Sequence, residues 1–269
     1  MVLPAPAPDR AALVTGASSG IGTEIARELA CRGQNLVLVA RSEDRLRDVA
    51  AELSAAGVRA EALPADLEDA AARAALPGRV ADLGLTVEVL VNNAGFSTLG
   101  PVAAADPERE LRMIELDVAA VVDLTTRLLP GMVQRGRGAI LNVASTAAFQ
   151  PLPGQAGYAA AKAFVLSYTQ ALVGEVRGSG VTVTALCPGP VRTGFEAVAG
   201  FAEGAAEKAL PKLLWVDARS VARAAVDGLD RGRMVVIPGA ANRVGAALSH
   251  LTPRTLLLPV LAKGHPGLK

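Results

Sequence analysis

The chain has 269 residues, 51% of them hydrophobic and 20% charged, with a formal net charge of +1. That supplies a sizeable core, and the absence of clustered Lys and Arg excludes a general nucleic-acid or polyanion binder. Cys31, Cys187, His250 and His265 are the only cysteines and histidines. They are too few and too scattered for a disulfide framework, a metal centre or a histidine-based triad.

MVLPAPAPDR has no cationic stretch followed by an apolar one, so it does not read as a secretory signal. Residues 1–9 are expected to be a flexible tail, and a cytoplasmic location is the default expectation. From Ala11 onward, short Val-, Leu- and Ile-rich runs predict buried strands. They lie at Ala11–Thr15, Asn35–Ala40, Val58–Leu63, Val87–Val91, Ala139–Val143, Val181–Leu186 and Arg233–Ile237. Between them, Glu24–Arg32, Asp44–Ala56, Pro107–Arg135, Gly157–Arg177 and Arg219–Leu229 carry helical spacing. This alternation predicts an α/β fold, a seven-stranded parallel sheet with helices on both faces.

No repeat or Gly/Ser linker divides the chain, so residues 1–269 are expected to form one domain. Residues 190–215 interrupt the alternation and are expected to cover the substrate side of the sheet. The C-terminal extension, residues 241–269, is apolar but broken by Pro253, Arg254 and Pro259. Those breaks argue against a spanning helix; a docking tail or an oligomer contact is expected ahead of membrane binding, which the apolar side chains alone would support.

Thr15-Gly16-Ala17-Ser18-Ser19-Gly20-Ile21-Gly22 follows the first strand and opens a helix. Glycines there permit a tight turn and let backbone N–H groups approach a pyrophosphate at the helix N-terminus. They equally suit a close helix–strand crossing. The second strand ends at Ala40-Arg41-Ser42, with no acid to hold the ribose hydroxyls of NAD. An Arg there accommodates a 2′-phosphate, which favours NADP(H) over NAD(H). Arg41 as a solvated charge and Ser42 as a helix cap are compatible readings.

Further segments follow in order: Asp66-Leu67, Asn92-Asn93-Ala94-Gly95, Ser145, Tyr158-Ala-Ala-Ala-Lys162 and Pro188-Gly189-Pro190-Val191-Arg192-Thr193. With the glycine turn, this set resembles the short-chain dehydrogenase/reductase family in its single-domain branch, over about Ala11 to Ile237. The resemblance implies a Rossmann-like doubly wound sheet and an oxidoreductase interconverting a carbonyl and an alcohol. It implies that Tyr158 is the acid–base residue, Ser145 holds the substrate oxygen, and Lys162 lowers the tyrosine pKa and holds the nicotinamide ribose. Gly16, Ser18, Ser19, Gly20, Ile21, Gly22, Arg41, Ser42, Asp66, Leu67, Asn93, Ala94, Gly95, Pro188, Gly189, Val191 and Thr193 would complete the cofactor site. It further implies a homodimer or homotetramer built on the helices Pro107–Arg135 and Gly157–Arg177.

The chain departs from the family pattern once. Where a Leu-Asn-Val run supplies the fourth catalytic position, this sequence reads Leu116-Asp117-Val118. Asp117 either acts through its backbone carbonyl, as the Asn would, or partly neutralises Lys162 and leaves the tyrosine pKa higher. The competing functions are a non-catalytic NADP(H)-binding regulator and a dehydratase or epimerase. The aromatic and leucine content of residues 190–215 suggests a hydrophobic small-molecule substrate, or merely a lid docked on the sheet.

Overall fold

The computed structural model of the protein describes residues 3–195, 199–201, 204, 207, 210–264 and 266–268. Strand β1 (Arg10–Thr15) buries both faces of its pleat: Ala12 and Val14 enter one apolar layer, Ala11 and Leu13 the other. Side chains alternate across a strand, so a run that is apolar throughout needs cover on both sides. The chain continues through α1 (Gly20–Cys31), β2 (Asn35–Val39), α2 (Glu43–Ala55), β3 (Ala60–Ala62), α3 (Ala70–Asp82) and β4 (Thr86–Asn92). Next come α4 (Pro107–Ile114), α5 (Ala120–Gln134), β5 (Gly138–Val143), α6 (Ala156–Glu175) and β6 (Val181–Leu186). Last are α7 (Ala218–Asp230), β7 (Val235–Val236), α8 (Ala240–Leu251) and α9 (Arg254–Gly264).

The seven strands form one parallel sheet in the order β3-β2-β1-β4-β5-β6-β7. On one face α1, α2 and α7 contribute Ile25, Leu29, Leu46, Leu53, Val221 and Ala225 to the core. On the other, α3, α5 and α6 contribute Leu76, Val80, Leu124, Met132 and Leu172. The strand order reverses between β1 and β4, which opens a crevice at the carboxyl ends of the strands.

Several expectations need correction. The third and seventh strands shrink to Ala60–Ala62 and Val235–Val236. Helix α3 escaped the sequence reading because its Ala-rich stretch has little apolar period and contains Pro77. Asp69 starts it, its carboxylate accepting from Ala71 N at 2.9 Å. The long helix expected at Pro107–Arg135 is α4 and α5 joined by a π turn, Glu115–Ala119. The tail expected to be flexible is held from Leu3 onward. Gln34 Nε2 donates to the Pro4 carbonyl at 2.7 Å, and Asn35 Nδ2 to that of Ala7 at 2.9 Å. The C-terminal extension does break at Pro253, as expected: α8 ends at Leu251, Thr252 is extended, and α9 starts at Arg254. No helix among the described residues is long and apolar enough to cross a membrane.

Candidate active site

A buried polar ladder fixes the elements around the crevice. Asn92 Nδ2, at the end of β4, donates to Asn142 Oδ1 of β5 at 2.9 Å and to Thr125 Oγ1 of α5 at 3.1 Å. Asn142 Nδ2 in turn donates to Thr169 Oγ1 of α6 at 3.0 Å. These groups are buried, so leaving any one unpaired would cost about 1–3 kcal/mol. The ladder therefore sets where α6 stands over the sheet, and α6 carries Tyr158 and Lys162.

Above it lies a cleft of about 1020 Å³. Its walls include Gly16, Ser18, Ser19, Gly20, Ile21, Arg41, Ser42, Asp66, Leu67, Asn93, Ala94, Gly95, Ser145, Tyr158, Lys162, Pro188, Gly189, Val191 and Thr193. Gly22 and Asp117 are the two sequence-predicted site residues that do not line it. Gly22 serves packing instead: a Cβ there would fall 2.2 Å from the Gly16 carbonyl oxygen. Gly16 and Gly20 both have positive φ, 65° and 58°, as the turn into α1 requires.

Ser19 caps α1 by position but makes no side-chain cap hydrogen bond, and the first turn holds no acid. The leading N–H groups of α1 thus face a cleft with their positive dipole end uncompensated, an arrangement that fits a phosphate. Ser42 likewise makes no cap bond at the start of α2, leaving its hydroxyl to the cleft. Arg41 is exposed and pairs with Glu68 at 3.2 Å. Glu68 also lines the cleft and was not foreseen from sequence.

Ser145 follows β5, where its oxygen accepts from Ala147 N at 3.1 Å. It is a turn cap and a cleft residue at once. Tyr158 and Lys162 are one helical turn apart, with the Lys162 ammonium 5.7 Å from the Tyr158 ring centre. Lys162 is buried and donates to the Val143 carbonyl at 3.1 Å. Behind it, fully buried in the π turn, Asp117 meets the ammonium at 2.9 Å and accepts from Phe96 N at 3.0 Å. Asp117 thus lies outside the cleft and holds two of its wall residues, Lys162 and Phe96.

The electrostatics follow from this stack. Burial pushes the Tyr158 hydroxyl above its ordinary value; Lys162 pulls it down, Asp117 pushes it up, and Ser145 pulls it down by hydrogen bonding. Burial opposes the Lys162 charge, but Asp117 and Tyr158 outweigh it and hold the ammonium pKa above normal. Burial raises the Asp117 carboxyl, against the pull of Lys162 and the Phe96 N–H. Cys187, fully buried at the end of β6, is pushed up to about 12, chiefly by burial. It is an inert core thiol.

The far wall of the cleft contains residues that sequence reasoning missed. Phe96, Arg109, Gln150, Leu152 and Gln155 come from loops and α4, and Asn242, Gly245, Ala246 and Ser249 from α8. The α8 set recurs at near-helical spacing, but a segment read as a broken tail gave no reason to look for a face. Of the expected cover, Phe195, Phe201, Leu210, Leu214 and Trp215 line the cleft. Residues 196–198, 202–203, 205–206 and 208–209 of that segment lie outside the described residues, as does His265.

A family model described as short chain dehydrogenase matches residues 10–202. The chain is 41% identical over 184 residues to a putative ketoacyl reductase of Streptomyces coelicolor, covering 68% of this chain and 70% of that one. Matches to two further relatives cover 65% and 62% of their lengths. Among solved structures, a short-chain dehydrogenase from Sphingobium yanoikuyae in complex with NADPH is 37% identical, with a TM-score of 0.79 over 93% of this chain and 95% of that one. Another from Burkholderia phymatum, in complex with NAD, is 25% identical, with a TM-score of 0.81 over 93% and 95%. The glycine turn, the Tyr158/Lys162 helix and the strand order agree with these matches: the chain belongs to the short-chain dehydrogenase/reductase family.

Proposed function

We propose that the chain is an NADP(H)-dependent oxidoreductase interconverting a carbonyl and an alcohol, with Tyr158 as its acid–base residue. The observation that carries this reading is Tyr158 in the cleft wall, with Ser145 in the same wall and the Lys162 ammonium 5.7 Å from the Tyr158 ring centre.

The nicotinamide cofactor, when bound, supplies the hydride; the protein sets position and electrostatics. Gly16, Ser18, Ser19, Gly20 and Ile21 would hold its pyrophosphate, Asp66 and Leu67 its adenine, and Asn93, Ala94 and Gly95 its central part. Pro188, Gly189, Val191 and Thr193 would hold the nicotinamide side. In reduction, the Tyr158 hydroxyl gives its proton to the nascent alkoxide oxygen while the Ser145 hydroxyl donates a hydrogen bond to the same atom. Lys162 stabilises the phenolate left behind. In oxidation the proton returns from the alcohol to Tyr158. Asp117 is a positioning residue that holds Lys162 and tempers its charge.

Arg41 and Ser42, beside a β2 end that lacks an acid, support NADP(H) over NAD(H). Glu68 tempers that preference by competing for Arg41. Phe96, Leu152, Phe195, Leu214 and Trp215 in the wall support a substrate with an apolar body. Exposed Leu111, Ile114, Val133 and Phe164 on α4, α5 and α6 support a homodimer or homotetramer through those helices. The working location for this reading is the cytoplasm.

The test is a panel of ketones and aldehydes assayed with NADPH and with NADH, beside direct cofactor binding. Turnover faster with NADPH supports the reading. Tight NADPH binding without turnover across the panel would favour a regulator, the reading that an Asp at position 117 keeps open.

A further inference from the structure

Helix α8 has two faces of different character. Asn242, Ala246 and Ser249, spaced by four and three, face the cleft. Val244, Leu248 and Leu251, with the same spacing on the opposite side, are 59%, 60% and 78% exposed. Helix α9, which follows directly, exposes Leu256 and Val260 at 66% and 70%. Single exposed apolar residues are ordinary, but five on two consecutive helices call for a partner.

The charge around the patch says which partner. Residues 240–269 contain no Asp or Glu. Arg243, Arg254 and Lys263 are exposed on the same two helices. In a two-fold pairing of this face with a second copy, the same cations would meet across the interface with no acid of the segment to pair them. Apolar side chains rimmed by cations match an anionic bilayer, where apolar groups enter the headgroup boundary and each cation gains from the surface potential. The helices are too short to span, so the arrangement suits lying on a surface.

We infer that the outer face of α8 and α9 docks the protein reversibly on an anionic lipid surface. Docking there places the surface one helix thickness from the cleft wall, so an apolar substrate dissolved in lipid has a short path to the site. Ser249 Oγ donates to Gln150 Oε1 at 2.6 Å and Arg254 Nη1 to the Phe149 carbonyl at 3.1 Å, which tie these helices to the loop after Ser145.

The test is flotation of the full chain with vesicles of phosphatidylcholine alone or with about one third phosphatidylserine. The protein is expected to float with the anionic vesicles and about tenfold less with the neutral ones, and to be released by added salt. Replacing Leu251→Ser with Val260→Ser, or Arg243→Glu with Lys263→Glu, should each weaken binding about tenfold or more without moving the thermal midpoint. The second pair keeps the test decisive if the first disturbs folding. No flotation with anionic vesicles, or flotation indifferent to both pairs, overturns the proposal. So does a wild-type oligomer that the serine pair splits, which would make a second copy the occupant.

Discussion

The Asp117 carboxylate lies 2.9 Å from the Lys162 ammonium, with both side chains buried beneath the cleft. A like-charged neighbour keeps the Tyr158 phenolate from gaining all of the stabilisation that Lys162 could give it. If Tyr158 is the acid–base residue, as proposed, oxidation needs it deprotonated, and the acid limb of the pH profile reports this balance. Asp117→Asn removes a negative charge and should lower the Tyr158 pKa, moving that limb down by roughly one pH unit. An unmoved limb would show that the carboxylate has no electrostatic role. Asp117→Ala should instead destabilise the fold by about 3–5 kcal/mol, because it leaves a buried lysine without its counter-charge.

The proposed preference for NADP(H) is tested at the other end of the cleft. Arg41→Ala should raise the KM for NADPH about tenfold and leave that for NADH nearly unchanged, since only NADPH brings a phosphate to the Arg. Glu68→Gln should act the opposite way, lowering the NADPH KM by freeing Arg41 from its 3.2 Å partner. Steady-state kinetics with both cofactors check the pair.

Much of this site was legible from residue types and order, because motifs at strand ends are local. Gly16, Gly20, Arg41, Asp66, Asn93, Ser145, Tyr158 and Lys162 all reach one cleft, since parallel strands deliver their carboxyl ends to one edge. Asp117 stood out in sequence as a departure, yet its contact with Lys162 depends on the π turn between α4 and α5. The α8 wall was not legible at all. Its residues reach the cleft by tertiary docking, and the apolar face turned outward masked the helix as a broken tail.

The two cysteines should separate cleanly. Cys31 is exposed and Cys187 is buried, with its thiol pushed up to about 12. A thiol-reactive dye should label one site in the native protein at neutral pH and two after denaturation. Rapid native labelling of both would contradict the burial assigned to Cys187.

Helix α7 begins at Asp217, whose carboxylate accepts from Ser220 N at 2.8 Å. That bonding with Ser220 lowers the Asp217 pKa. A depressed carboxylate pKa stabilises the fold above the unfolded value and loses that contribution as pH falls through the folded value. Asp217→Ala should therefore cost about 1 kcal/mol at neutral pH. Denaturant titrations should show the difference closing in strong acid.

The central claim is that Tyr158 moves the proton in this cleft. Its most direct test is Tyr158→Phe, with kcat and the NADPH dissociation constant measured on the same preparation. The account predicts a loss in kcat of about 10²–10⁴-fold with NADPH binding essentially unchanged. Turnover within a few-fold of the wild type would contradict it.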